Sequence, residues 1–152
     1  MTVTLGMGLG LLGAAIAFSL SATGAGIAMG MAGQAAAGVL KEDPRKFGQT
    51  LVLQAIGTTG GIYGLLMAFL IMQKSLTLGD NLSAGIWLLA AGIPMGIVGL
   101  FASIAQGRAL VAGIILIGKR PSELAKALIY AAMIETLSVF ALLISFLMYN
   151  SI

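Results

Sequence analysis

Four apolar runs, separated by three short polar breaks, account for almost the whole chain. They cover residues 3–40, 47–73, 83–117 and 122–149, and each exceeds the ~20 residues a helix needs to cross a hydrocarbon core. The breaks are chemically explicit. Lys41-Glu42-Asp43-Pro44-Arg45-Lys46 stops the first run with charge and proline, and Lys74 to Leu82 is a polar turn. Gly118-Lys119-Arg120-Pro121-Ser122 stops the third, with Gly118 suited to a helix C-terminus. Ser122 and Glu123 fit the start of the fourth. The pattern predicts an all-α membrane protein of four transmembrane helices. They form two hairpins, residues 1–76 and 77–152, each a pair of spans.

Composition agrees and removes several function classes. Hydrophobic residues make up 59% of the chain and charged residues 9%, far from the averages of soluble domains. Cysteine and histidine are absent, which removes thiol chemistry, the commonest general base and the commonest metal ligand. No GxxxxGK[ST] occurs, so the chain has no nucleotide site of its own. The first run lacks a basic leader and is too long for a signal peptide, so it reads as retained. The basic residues set the topology rather than pointing to nucleic acid. Lys41, Arg45, Lys46, Arg108, Lys119, Arg120 and Lys126 lie towards the first and third breaks, with Lys74 alone at the opposite end. The positive-inside rule then predicts a multi-pass plasma-membrane protein with both basic loops cytoplasmic and both termini outside.

The halves repeat. At an offset of 77 residues Pro44 falls on Pro121, Ala25, Ile27, Ala28 and Gly30 fall on Ala102, Ile104, Ala105 and Gly107, and Leu65, Leu66, Phe69 and Leu70 fall on Leu142, Leu143, Phe146 and Leu147. Both hairpins begin on the same side, so the repeat is parallel. Gly24, Gly26, Gly30, Gly33 and Gly38, set among alanines, make the first helix thin enough for close backbone approach. GxxxG also occurs at Gly6–Gly10, Gly57–Gly61, Gly60–Gly64 and Gly92–Gly96, a weak signal at each place. A thin first helix suits the inner circle of a ring, with the second and fourth helices outside; a compact four-helix bundle is the alternative. Pro94 predicts a bend in the third helix.

One acid stands deep inside a span. Glu135 lies fourteen residues from Pro121 and fourteen from Tyr149, ~20 Å of helix on either side. A carboxylate at that depth costs several kcal/mol, and such a residue is functional by default. At the repeat offset it falls on Thr58, so one hairpin of the two carries it. Gln106 is equally far from the turn at Arg120-Pro121 and is predicted to face it, because an amide in lipid needs a partner. Thr58 and Thr59 sit at the matching depth of the second helix. Ile56, Thr59, Gly60 and Tyr63 share one face of it, at helical spacing. Taken singly, Thr59 reads as bonded to its own helix, Tyr63 as packing, and Gln106 equally as a helix clamp. Their convergence at one depth points to an oxygen-rich pocket around Glu135. Gln34, Gln49 and Gln54 fall nearer the helix ends, and Arg108 is placed to snorkel.

FGQTLVLQAIGTTGGIYG, GLFASIAQGRALVAGI and IYAAMIETLSVFALLISFL, together with the duplicated hairpin, resemble the proteolipid, or K subunit, of bacterial V-type ATPases over nearly the whole chain. The resemblance implies a homo-oligomeric rotor ring beside a stator membrane subunit with an essential arginine, attached to a central stalk and an ATP-hydrolysing head. It implies partners in identical subunits and membrane lipid, and none in nucleic acid. It implies Na⁺ as the carried ion, held by Glu135, Gln106, Thr59 and the Ile56 carbonyl, with Tyr63 bonded to the carboxylate. Gly60 stands where the sodium-coupled members have glutamine, so one oxygen is missing. Either a water fills the vacated space, or the cargo is H⁺ and needs no full shell. The remaining oxygens exceed what a proton requires, and a hard cation wants several, which favours Na⁺.

An empty Glu135 carboxylate is costly against lipid, whereas one neutralised by its cargo can rotate through it. One acid per duplicated hairpin means fewer ions per turn, which favours ATP-driven pumping over synthesis. Two other classes share some features. A small multidrug-type cation/proton antiporter carries its glutamate in the first span among aromatics, and here it lies in the fourth with 7% aromatics overall. A structural pore-forming oligomer needs more polar residues at helical spacing than the first helix supplies.

Overall fold

The computed structural model describes residues 3–152. Helix α1 (Leu5–Glu42) is capped by Thr4, whose hydroxyl oxygen accepts from the Met7 N–H at 3.3 Å. A 3₁₀ turn at Pro44–Lys46 follows, started by the Asp43 carboxylate, which accepts from the Arg45 N–H at 3.1 Å. The Arg45 guanidinium, bonded to the same carboxylate, holds the Asp43 carboxyl below its ordinary value. Then come α2 (Phe47–Ile56) and α3 (Thr59–Ser75). Helix α4 (Leu82–Lys119) is capped by Asn81. A second 3₁₀ turn at Pro121–Glu123 leads into α5 (Leu124–Asn150). No strand occurs among the described residues. The four apolar spans are present, long and apolar enough to cross a membrane.

Two boundaries differ from the sequence pattern. The fourth helix begins at Leu124 rather than at 122, because proline and its successors close a tight turn first. The second span is not one helix. It breaks at Gly57-Thr58, where Gly57 N–H and Thr58 N–H bond back three residues, to Gln54 and Ala55, both at 3.1 Å. The Thr58 and Thr59 hydroxyls donate to the Ala55 and Ile56 carbonyls at 2.8 and 2.9 Å. Three residues of low helix propensity, two of which compete with the backbone for its own acceptors, tighten and interrupt the helix here.

Helices α1 and α4 share the most extensive interface; α5 packs on α4, and α3 on α1. The α1–α4 contact is made by glycine. A Cβ added at Gly6 would stand 2.6 Å from the Asn81 carbonyl oxygen, at Gly13 2.5 Å from that of Leu88, and at Gly24 2.6 Å from that of Leu100. From the other side, a Cβ at Gly107 would meet the Ala28 Cα at 2.6 Å. So the glycines that close this chain on itself lie mostly outside the cluster expected from the sequence. Of that cluster Gly24 contacts α4, while Gly26, Gly30 and Gly38 face open space. In lipid, helix association gains little from hydrophobicity and depends on close contact, which these glycines permit.

Helix α4 continues through Pro94, and two serines brace it there. Met95 N–H donates to the Ser145 hydroxyl at 3.1 Å, and the Ser21 hydroxyl donates to the Met95 carbonyl at 2.9 Å. Proline removes the ladder bond to the Ala90 carbonyl, and the two hydroxyls tie the next residue, Met95, to α1 and α5.

Both basic breaks meet at one end of the molecule, where Lys46 donates to the Gly118 carbonyl and Gln49 to that of Pro121 at 3.2 Å. Residues near the two termini meet the α3–α4 turn at the other end, through Thr4 on Gly79 at 2.6 Å and Lys74 on Tyr149 at 3.0 Å. Two apolar clusters fill the interior, one around Met67, Ile71, Leu88 and Met95, the other around Leu53, Leu110, Ile114 and Ile117. Tyr63 borders the first and Ile56 the second, which leaves a polar layer between them.

Overpacking a tight contact costs about 1–3 kcal/mol or more. Gly13→Leu is therefore expected to lower the melting temperature of the detergent-solubilised protein sharply, followed by far-ultraviolet circular dichroism. Gly48→Ala, added into open space on α2, is expected not to lower it.

Candidate functional site

The polar layer is assembled from three of the four spans. Glu135 sits on α5, half-buried. The ion pairs among the described residues all lie in the breaks: Asp43 with Arg45 and Lys46, and Glu123 with Lys126. Arg108 is exposed and pairs with no acid. Glu135 therefore has no cationic partner among the described residues, and the groups that meet it are neutral.

Tyr63, on α3, donates its hydroxyl to Glu135 Oε1 at 2.7 Å, within the range of a charge-assisted bond. Gln106, on α4 and only 2% exposed, donates its amide to the Ala131 carbonyl at 3.3 Å and, more weakly, to Glu135 Oε2 at 3.5 Å. Both carboxylate oxygens thus face a donor from a different helix. With its N–H groups so committed, Gln106 has its own carbonyl oxygen left as a lone-pair donor.

The break in the second span lies at this layer. The Ile56 carbonyl takes no backbone hydrogen bond across the break and accepts the Thr59 hydroxyl at 2.9 Å. Thr59 bonds to its own helix, as a lone threonine in a helix usually does. That bond uses its proton and leaves its lone pairs. Ile56 and Thr59 therefore present two oxygens side by side, each able to accept further. Such neutral oxygens beside a carboxylate suit a hard cation better than a soft one. Thr58 is occupied with the Ala55 carbonyl.

The space next to the Gly60 backbone is taken up by a side chain of α4. A Cβ added there would collide with the Ser103 hydroxyl of α4. Ser103 is 1% exposed, and its hydroxyl makes no hydrogen bond among the described residues. An unpaired buried hydroxyl costs on the order of 1–3 kcal/mol. Sequence reasoning misses it, since a serine in a membrane helix ordinarily bonds to its own backbone. Its one legible signal is the three-residue spacing from Gln106, which puts both on one face. An apolar groove between α4 and α5, lined by Ala112, Leu116, Tyr130 and Met133 among others, holds no carboxylate and lies apart from this chemistry.

Comparison with known proteins places the chain in a family. A model of the ATP synthase C-subunit family matches residues 2–71 and 89–148, one segment in each half. The chain is 41% identical over 145 residues to V-type sodium ATPase subunit K of Enterococcus hirae, an alignment covering 94% of this chain and 91% of that relative. It is 38% identical over 141 residues to A-type ATP synthase subunit K of Methanocaldococcus jannaschii, covering 92% of this chain and 61% of that relative. The chain belongs to the ATP synthase C-subunit family, and it is a multi-pass membrane protein.

Removing the Tyr63 hydroxyl leaves Glu135 Oε1 without its donor. In Tyr63→Phe the carboxyl stretching band of Glu135, isolated by infrared difference against Glu135→Gln, is expected to shift. Thr136→Val is expected to leave it in place, since the Thr136 hydroxyl is committed to the Met133 carbonyl at 2.7 Å.

Proposed function

We propose that this member of the ATP synthase C-subunit family is the rotor-ring subunit of a V-type ATPase and carries Na⁺ across the plasma membrane on Glu135. The observation that carries the reading is a membrane-depth carboxylate, with no cation of its own, that meets neutral donors from two other helices at 2.7 and 3.5 Å. The relative named as a sodium ATPase subunit supports Na⁺ as the cargo. Glu135, Gln106, Thr59 and the Ile56 carbonyl supply oxygens, and Tyr63 holds the carboxylate in its closed position.

The mechanism follows from charge. Loaded with Na⁺, the carboxylate is neutralised and crosses the lipid at low cost; emptied, it does not. An arginine on a stator subunit would compete for the carboxylate and displace the ion, so rotation and transport become coupled. Identical copies form the ring, a central-stalk subunit transmits torque from the ATP-hydrolysing head, and both basic loops face the cytoplasm with the termini outside. Helix α1, with Gly26, Gly30 and Gly38 uncovered, suits the crowded inner circle. Helix α5 exposes Met133, Leu137, Phe140 and Leu143 and suits the lipid-facing outside. A proton is the second reading, favoured by glycine at position 60 where sodium-coupled members carry glutamine.

Glu135→Gln is expected to abolish ion transport in reconstituted vesicles while the ring still assembles; transport that survived would overturn the assignment. Carbodiimide attacks only a protonated carboxyl. Its modification of Glu135 in wild-type rings at fixed pH is expected to be blocked by millimolar NaCl and not by KCl. Labelling indifferent to sodium would assign the proton instead.

A further inference from the structure

Ser103 departs from the usual bonding of a helical hydroxyl. A helical serine or threonine usually donates to the carbonyl three or four residues back, and Thr50, Thr58, Thr59, Ser75 and Thr136 all do so. Ser103 does not, although it is 1% exposed. Its hydroxyl occupies the position a side chain at residue 60 would take. That position adjoins Thr59 in sequence and lies one turn from Tyr63. Ser103 itself lies one turn from Gln106 on α4. The orphaned oxygen therefore belongs to the layer that holds Glu135.

We propose that Ser103 Oγ is an oxygen ligand of the transported cation, and that Gly60 and Ser103 act as a pair: the glycine clears the space, and the serine on the facing helix fills it with a lone pair. The missing oxygen of α3 is thus supplied by α4. This rests on the sodium reading above, because a proton on Glu135 needs no such ligand. The unpaired state of the hydroxyl then has a cause. An oxygen kept off its own helix carbonyl keeps its orientation free for an ion that arrives and leaves once per passage of the stator.

The test uses assembled rings and sodium alone as the probe, read as the NaCl concentration that half-protects Glu135 from carbodiimide. Ser103→Ala is expected to raise that concentration about tenfold or more, the loss typical of one good polar contact, while rings stay assembled. If Ser103 were only structural, deleting an unpaired buried hydroxyl would leave protection unchanged and the rings equally or more stable; that result overturns the inference. Gly60→Gln alone is expected to lose protection by collision with Ser103, and Gly60→Gln with Ser103→Gly is expected to regain it, a coupling that independent sites would not give. Equal protection in the single and double variants also overturns it. Wild-type rings that sodium never protects would refute the sodium reading and this inference together, whereas protected wild-type rings with unaltered Ser103→Ala refute this inference alone.

Discussion

A carboxylate set half-way along an apolar helix imposes the main constraint on this protein. Lipid cannot solvate Glu135 there, and no arginine or lysine among the described residues neutralises it. The groups that meet it are the Tyr63 hydroxyl at 2.7 Å and the Gln106 amide. A permanent ion pair would satisfy the charge and stop it from exchanging. Neutral donors hold the carboxylate in place without removing its need for a positive ion, which is the property a carrier requires.

Those donors reach Glu135 because the backbones come close. Tyr63 and Gln106 sit on different helices, and glycine removes side-chain bulk where α3 meets α4, at Gly60 against Ser103, and where α4 meets α5, at Gly113 against Ala127. The serines on either side of Met95 tie α4 to α1 and α5 just past Pro94. The break at Gly57-Thr58 serves the same site. An uninterrupted helix would consume the Ile56 carbonyl in its ladder, and the break releases it. The irregularity is tolerable in a membrane because the Thr58 and Thr59 hydroxyls cover the Ala55 and Ile56 carbonyls.

Much of this is legible in the chain. Run lengths set four spans, the polar breaks place their ends within a few residues, and the offset repeat exposes two parallel hairpins. Equal distance from the turn pairs Gln106 with Glu135 by counting alone. Other features are not legible. The glycines that carry the tight contacts, among them Gly6, Gly13 and Gly107, look in sequence like those that face open space, such as Gly26 and Gly30. Which side of a helix meets a neighbour is a property of the assembled bundle.

The sequence by itself determined the membrane class, the number of spans and the one acid worth explaining, because each follows from run length and from the cost of charge in lipid. Only the tertiary structure decided where the second span breaks and which oxygen stands beside Gly60. The break is a contest between threonine hydroxyls and the helix ladder for the same carbonyls. The oxygen beside Gly60 comes from a serine on α4, distant along the chain, that enters the space left by a glycine on α3. Spacing along one helix cannot report what a second helix puts in the gap.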